Sequence, residues 1–188
     1  MGPAVRTALA IILLASSAYA DLDLTPREEE YQLDGTKQRQ LVFADGGRRV
    51  TYTPPRNWQH SGGRNCFVLR PSSESSAEAT TTVNKLPRPE VFDDTTTKRL
   101  CDEVLASVPS GATKVTLVSQ QMNPLRIEGK QTFLVIINYD LYGGPYTRSA
   151  MFLNRQNEQV RFQLTCYRNS FQKLQKAFES SHYSWQNL

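Results

Sequence analysis

The sequence predicts an α+β domain with a mostly antiparallel sheet, preceded by a cleavable export signal. Three features predict this class. Runs of β-prone residues outnumber the two helical runs, the strands do not alternate regularly with helices as in a doubly wound parallel sheet, and neither an internal repeat nor a second domain is visible. The 168 residues that follow the signal suit one domain, which at this size buries about 70% of its unfolded surface.

The first twenty residues have the three parts of a secretory signal peptide. A short basic start contains Arg6, an uninterrupted apolar run covers residues 8–15, and a small-x-small sequence ends at Ala20. The apolar run is too short to cross a bilayer, which takes about 20 apolar residues. We therefore expect residues 1–20 to be a signal peptide and the mature protein to be periplasmic or secreted.

Composition narrows the class of partner. The loss of Arg6 with the signal lowers the net charge from +4 to +3, and the remaining basic residues are scattered along the chain. Nucleic-acid binding typically needs a basic stripe with stacking aromatic residues, so we expect no nucleic-acid partner. No other apolar run approaches membrane length, so we expect no transmembrane span in the mature chain.

The chain after the signal divides into a leader and one domain. Residues 21–38 are polar, contain three consecutive glutamates and show no sustained hydrophobic period, which predicts a flexible leader. The domain then covers residues 39–185. Two β-prone runs at residues 41–43 and 50–52 flank a Gly-Gly turn, which indicates a hairpin. Further strands are predicted at residues 66–69 and 79–83.

A first helix is predicted in the middle of the chain. Residues 93–95 are Asp-Asp-Thr, which are candidate N-caps. The apolar residues that follow fall on one helical face: Leu100, Cys101, Val104, Leu105 and Val108. Pro109 and Gly111 end the helix.

The second half predicts a meander followed by a closing helix. Its strands are expected at residues 115–118, 132–141, 147–153 and 159–167. Residues 133–137 are apolar at every position, so this strand should be covered on both faces. The closing helix has an apolar stripe of Phe171, Leu174 and Phe178, and we expect His182 beyond it to be solvated.

This order of elements, together with the run Pro54-Pro55-Arg56-Asn57-Trp58 after a strand and the Phe-rich closing helix, resembles the PsbP-like family over about residues 39–185. That fold is shared by a photosystem extrinsic subunit, a nuclear-import factor and several bacterial periplasmic proteins. The resemblance implies an exported bacterial member with a three-layer α/β/α sandwich and a binding or assembly role without catalysis. It transfers no partner, because fold does not determine function.

No residue of the sequence is assigned to catalysis, to a cofactor or to a metal. His60 and Cys66 are close in sequence, but a thiol enzyme also needs an orienting group and an oxyanion hole. We expect Cys66 in a strand and His60 in a surface loop. The two histidines of the chain lack the ligand spacing of a metal site.

Three cysteines remain in the mature chain, Cys66, Cys101 and Cys166, so at most one intramolecular disulfide can form. Cys101 lies on the apolar face of the first helix and Cys166 on the apolar face of the last strand. A helix packed on that sheet face would bring them together, so we favour this pair, with Cys66–Cys166 second. Three buried free thiols are an equal alternative.

Three tyrosines, Tyr139, Tyr142 and Tyr146, crowd one predicted hairpin. Exposed tyrosines offer rigid amphipathic contact area, so this hairpin is a candidate interface. The alternative is cross-strand packing that stabilises the hairpin itself.

The leading functional hypothesis is an exported, non-enzymatic binding or accessory protein of the cell envelope. Its expected partner is another envelope protein or a membrane-associated complex. Two alternatives stay open: an enzyme whose site is assembled from sequence-distant residues, and a structural subunit of a membrane-associated complex. A deep pocket with converging polar groups would favour the enzyme, and a shallow surface with an exposed aromatic patch would favour the binder.

The signal peptide gives a direct prediction. N-terminal sequencing of the protein recovered from its native cells should begin at Asp21, because cleavage follows the small residue Ala20. Native protein that retains Met1 would contradict both the export signal and the assignment to the cell envelope.

Overall fold

A computed structural model describes residues 22–188, and the predicted signal peptide at residues 1–20 lies outside the described residues. Within residues 22–188 the chain forms eleven strands, two α-helices and one short 3-10 helix. In order these elements are β1 (Leu22–Leu33), β2 (Thr36–Asp45), β3 (Arg48–Tyr52), β4 (Trp58–Gly63), β5 (Cys66–Pro71), β6 (Glu78–Lys85), α1 (Asp94–Ala106), β7 (Thr113–Met122), β8 (Thr132–Leu141), β9 (Gly144–Arg155), β10 (Glu158–Tyr167), α2 (Arg168–Ser181), the 3-10 turn (His182–Ser184) and β11 (Gln186–Asn187).

The strands form two sheets in which every neighbouring pair is antiparallel. The smaller sheet has the order β1-β2-β3-β11, and the larger has the order β4-β5-β6-β10-β9-β8-β7. The predicted hairpin around the Gly-Gly turn is β2–β3, and the predicted meander is β7 to β10. These predictions are confirmed.

Strand β8 is apolar on both faces, as its sequence predicts. Phe133, Val135 and Ile137 pack in one hydrophobic cluster, while Leu134 and Ile136 pack in another on the opposite face. Because successive side chains of a strand point to opposite faces, the large sheet needs an apolar cover on each side.

Helix α1 covers one face of the large sheet. It begins at Asp93, whose carboxylate accepts a hydrogen bond from the Thr96 amide at 2.8 Å. Leu100, Cys101 and Val104 are buried against β8 and β9. The predicted capping segment is confirmed, and so is the apolar face except at Val108, which lies beyond the end of α1 at Ala106.

The opposite face is covered by α2 together with the small sheet. Leu174 and Phe178 of α2 share one cluster with Phe43 of β2 and Tyr52 of β3. The prediction of an α+β domain built as a three-layer α/β/α sandwich is therefore wrong, because residues 22–188 are mostly strand and much of one outer layer is a second sheet rather than a helix. The reason is that β2 and β3 carry apolar side chains that a lone hairpin cannot bury, and the large sheet offers them a matching face.

Residues 21–38 are predicted to form a flexible leader. The structure instead places Leu22–Leu33 of this segment in strand β1. The strand pairs with β2 on both sides of a register shift between Asp23 and Arg27, and Leu22 and Leu24 are buried. Its charged half is exposed, with Glu30 near Lys37 and Arg39 across the strand pair. Exposed ion pairs contribute little, so the backbone ladder and the buried leucines hold this strand. A polar run without hydrophobic period does not reveal such pairing.

The favoured Cys101–Cys166 disulfide does not form. Cys101 lies in the cluster under α1 and Cys166 in the cluster under α2, so the sheet separates them. All three cysteines fall within the described residues, and all three are free thiols. The prediction placed the first helix on the wrong face of β10, because spacing along a helix does not say which side of a sheet it covers.

These positions predict the thiol content of the mature protein. Unfolding in a denaturant without reductant, followed by alkylation, should label all three cysteines, because each lies apart from the other two in the fold. Mass spectrometry of the alkylated chain measures the number of labels. Only one label per chain would indicate an intramolecular bridge and contradict the fold described above.

Candidate functional site

A pocket of about 480 Å³ lies where the loop between β7 and β8 meets the C-terminal segment. The loop contributes Arg126 to Glu128, and the C-terminal segment contributes residues 182, 183 and 185–188. Ile127 is buried and anchors the loop in the larger core. The pocket is therefore walled by two segments distant in sequence.

The C-terminal wall is set by aromatic packing. After α2 the chain makes one 3-10 turn, in which the Trp185 amide donates to the His182 carbonyl at 3.1 Å. This turn directs both rings inward. The ring centre of His182 lies 4.5 Å from those of Phe162 and Phe178, and Trp185 meets Phe162 edge-on at 5.1 Å. His182 and Trp185 are each only 2% exposed.

The ring of Tyr52 closes the same cluster from the small sheet. It stacks on His182 with ring centres 6.5 Å apart, and its hydroxyl lies 2.7 Å from the Ser181 hydroxyl. The aromatic cluster thus joins β3, β10 and the end of α2. It makes the C-terminal wall rigid, because edge-to-face and offset ring pairs each add about 0.5–1.5 kcal/mol beyond area burial.

Three side chains that line the pocket carry buried polar atoms without a hydrogen-bond partner in the described part of the chain. They are Oε1 of Glu128, both ring nitrogens of His182 and Nε1 of Trp185. An unsatisfied buried group costs about 1–3 kcal/mol, and native proteins contain few of them. Three such side chains in the walls of one pocket leave hydrogen-bonding capacity that the described residues do not satisfy.

The backbone and a salt bridge hold the Glu128 carboxylate in place. Glu128 has a φ of 53°, in the left-handed region that non-glycine residues rarely adopt. Its Oε2 pairs with Lys130 at 2.8 Å, which leaves Oε1 as the acceptor without a partner. The strained loop residue therefore contributes a half-satisfied carboxylate to the pocket.

Burial determines the charge state of the histidine. Complete burial lowers the pKa of His182 from 6.5 to about 3, so the ring is neutral at pH 7. A neutral imidazole has one donor and one acceptor nitrogen, and the indole of Trp185 has one donor. Together with the Glu128 acceptor, the walls of the pocket contain both kinds of hydrogen-bonding group.

The same burial makes these groups poor catalysts. A base with a pKa near 3 takes protons weakly at neutral pH. Burial also raises the pKa of the Cys66 and Cys101 thiols, and raises that of Cys166 to about 12, so no thiolate forms near neutral pH. His60 lies in strand β4 and pairs with Leu69 of β5, three positions along the strand from Cys66. The structure therefore does not bring His60 and Cys66 together.

The three predicted interface tyrosines have different environments. Tyr139 is buried and stacks on Tyr146 across β8 and β9, with ring centres 5.7 Å apart. Tyr146 in turn lies 4.6 Å from Tyr167 on β10. This is the cross-strand packing that was the alternative interpretation. Tyr142 in the turn is 94% exposed, and its role as an interface residue stays a prediction.

The expectation of a solvated His182 is wrong, and the sequence carried a signal that could have corrected it. The apolar stripe Phe171, Leu174 and Phe178 continues at helical spacing to His182 and then to Trp185. Glu128 has no such signal, since a single glutamate in a loop between strands is unremarkable in sequence.

No protein-family model and no curated protein matches the sequence. Among solved structures, the solution structure of cyanobacterial PsbP from Synechocystis sp. PCC 6803 is similar, with a TM-score of 0.55 and 12% identity over 88% of this chain and 94% of that one. The chain has a PsbP-like fold. A Pseudomonas aeruginosa protein of unknown function is also similar, with a TM-score of 0.48 and 14% identity over 82% of this chain and 92% of that one.

The resemblance seen in the sequence is therefore confirmed for the PsbP-like fold. None of the helices in residues 22–188 is long and apolar enough to span a membrane. In the same part of the chain, no three His, Cys, Asp or Glu side chains cluster as metal ligands would. The pocket between the β7–β8 loop and the C-terminal segment is the feature of this PsbP-like chain on which a function can be argued.

The buried histidine predicts a specific acid sensitivity. The unfolded chain protonates this ring with the ordinary pKa of 6.5, whereas the folded chain does so only near pH 3. The ring therefore leaves stability unchanged above pH 6.5 and lowers it as the pH falls from 6.5 towards 3, by roughly 3 kcal/mol at pH 4. The His182→Phe variant should lose this part of the pH dependence in urea unfolding at pH 7 and pH 4.

The matched control is His60→Phe, because His60 is a partly exposed histidine on strand β4. It should keep the acid sensitivity of the wild type. An unchanged pH dependence in His182→Phe would show that the ring is hydrated or charged in the folded protein.

Proposed function

We propose that this chain is an exported, non-enzymatic binding protein of the cell envelope that holds a small polar molecule. The observation that carries the proposal is the set of unpartnered polar atoms of Glu128, His182 and Trp185 around one pocket. Ligand sites typically combine apolar or aromatic walls with a few placed polar groups, and this pocket has both.

The chemistry of the pocket defines the ligand class. Oε1 of Glu128 accepts, Nε1 of Trp185 donates, and His182 can do either. A ligand with adjacent N–H or O–H donors and at least one acceptor, such as a polyhydroxyl compound or an amide, would satisfy all three. The ring of Tyr183, which lines the pocket and is 72% exposed, would extend the contact at the rim.

Binding explains the pocket better than catalysis does. Converging polar groups are the geometric sign of an enzyme, but general acid–base catalysis is most efficient with a group whose pKa lies near the working pH. The histidine stays neutral, and the thiols stay protonated. A rigid wall of buried rings suits a ligand held by hydrogen bonds.

The proposed function includes export from the cytoplasm and contact with a protein partner. The signal-like residues 1–20 support a periplasmic or secreted location. A protein partner in the envelope, or a membrane-associated complex, would contact the surface away from the pocket. The exposed ring of Tyr142 is the residue we propose for such a contact, since tyrosines are enriched at interfaces.

Native mass spectrometry tests the pocket. The exported protein, purified from its native envelope without denaturant, should carry a small molecule in addition to the polypeptide mass. Glu128→Gln should reduce occupancy about tenfold, because a charge-assisted hydrogen bond is lost. Trp185→Phe should also reduce it, since phenylalanine keeps the aromatic wall and removes only the N–H donor.

The matched control is Glu30→Gln, which also removes a glutamate paired with a lysine, but on the exposed β1–β2 ladder. It should leave occupancy unchanged. A native protein without any bound small molecule, or equal occupancy in Glu128→Gln and the wild type, would refute the proposed pocket.

A further inference from the structure

A second pocket of about 460 Å³ lies near the C-terminal strand β11. It forms where the β9–β10 turn approaches the β2–β3 turn, and Asn187 lines both this pocket and the one described above. Four basic residues line it, namely Arg48, Lys85, Lys130 and Arg155. Two acidic residues, Asp45 and Glu158, also line it, and Lys130 is already paired with Glu128, so the wall keeps only a small excess of positive charge.

The acidic side chains in this pocket are already engaged. Asp45 is 1% exposed, and its Oδ2 accepts hydrogen bonds from Nη2 of Arg155 and, at 3.0 Å, from Nδ2 of Asn187. Oε1 of Glu158 accepts the Leu22 amide at 3.3 Å. These contacts join the small sheet to the large one, and they neutralise carboxylates that would otherwise repel an anion.

One nitrogen of the Arg155 guanidinium lacks a hydrogen-bond partner among the described residues. Its Nη1 is buried and makes no hydrogen bond to the described residues, and the nearest carboxylate oxygen, Oε2 of Glu158, lies 3.7 Å away. The side chain is only 9% exposed, so Asp45 holds it in one orientation. A fixed, buried N–H donor in a positively charged pocket is the arrangement that recognises an anionic oxygen.

We propose that this second pocket binds a small oxyanion, in the form of a phosphate or carboxylate group, with Arg155 as its central ligand. Nη1 of Arg155 would donate to the anion, and Arg48 at the exposed rim would add a second positive charge. The proposal does not depend on a ligand in the first pocket, because it rests on a different unpartnered atom, Nη1 of Arg155.

Titration of the mature chain, followed by amide NMR, tests the site. Inorganic phosphate and succinate serve as separate probes at constant ionic strength, so that general screening stays fixed. Saturable shifts should appear at residues 155–158 with at least one probe. Saturation by one probe alone shows whether the pocket binds a phosphate or a carboxylate group. Saturation by both shows that the pocket binds the anionic oxygens that the two groups share.

Two variants assign the site to its residues. Arg155→Lys keeps a positive charge beside Asp45 but removes the second nitrogen, and it should weaken binding by about tenfold. Arg48→Gln lies on the exposed rim and should weaken binding a few-fold without affecting the core. The matched control Arg56→Gln removes the same charge from a residue that lines neither pocket, and it should bind as the wild type does.

The titrations and the variants have outcomes that contradict the proposed anion site. Saturation by neither probe would overturn the proposal, as would equal affinity in Arg155→Lys and the wild type. If Arg155→Lys fails to fold, Arg48→Gln decides, because an unchanged affinity there would also overturn it. A similar loss in Arg56→Gln and Arg48→Gln would show attraction to overall charge rather than to this site.

Discussion

The two apolar faces of β8 and β9 are the constraint on which the rest of the structure depends. Phe133 and Phe152 face α1, whereas Leu134 and Met151 face the other side. Each such side chain gains about 1.5–3 kcal/mol from full burial, so neither face can be left to solvent. Helix α1 satisfies one face, and α2 with the small sheet satisfies the other. The layered order of the molecule follows from this requirement.

Closing the second face has a consequence for the chain end. The small sheet and α2 leave a gap over β10, and the C-terminal turn fills it with the rings of His182 and Trp185. These rings supply apolar area, but they bring polar nitrogens into the core. A purely structural plug would favour Phe or Leu, which carry no such cost. On the proposal of a binding pocket, these polar rings lower the stability of the core and supply hydrogen-bonding groups for a ligand.

The contact between the two sheets produces the other charged feature of the fold. Asp45 ends β2, Arg155 ends β9, and their buried ion pair lies at the junction of the sheets. A buried ion pair adds little to the net free energy of folding, but removal of one partner leaves an uncompensated charge in the interior. The pair therefore fixes how the sheets meet, and it also orients the guanidinium at the edge of the second pocket. Both pockets are lined by Asn187 of β11, which belongs to the small sheet and donates a hydrogen bond to Asp45 at this junction.

The sequence by itself determined the local elements. Hydrophobic period predicted the face of α1 with Leu100 and Val104 and the doubly covered strand β8, because these patterns depend only on neighbours along the chain. Only the tertiary structure decided which face of the sheet each helix covers, that Leu22–Leu33 pairs as β1, and that Glu128 and His182 line one pocket. Pairing and pocket formation join segments far apart in sequence, and a one-dimensional pattern carries no record of such distances.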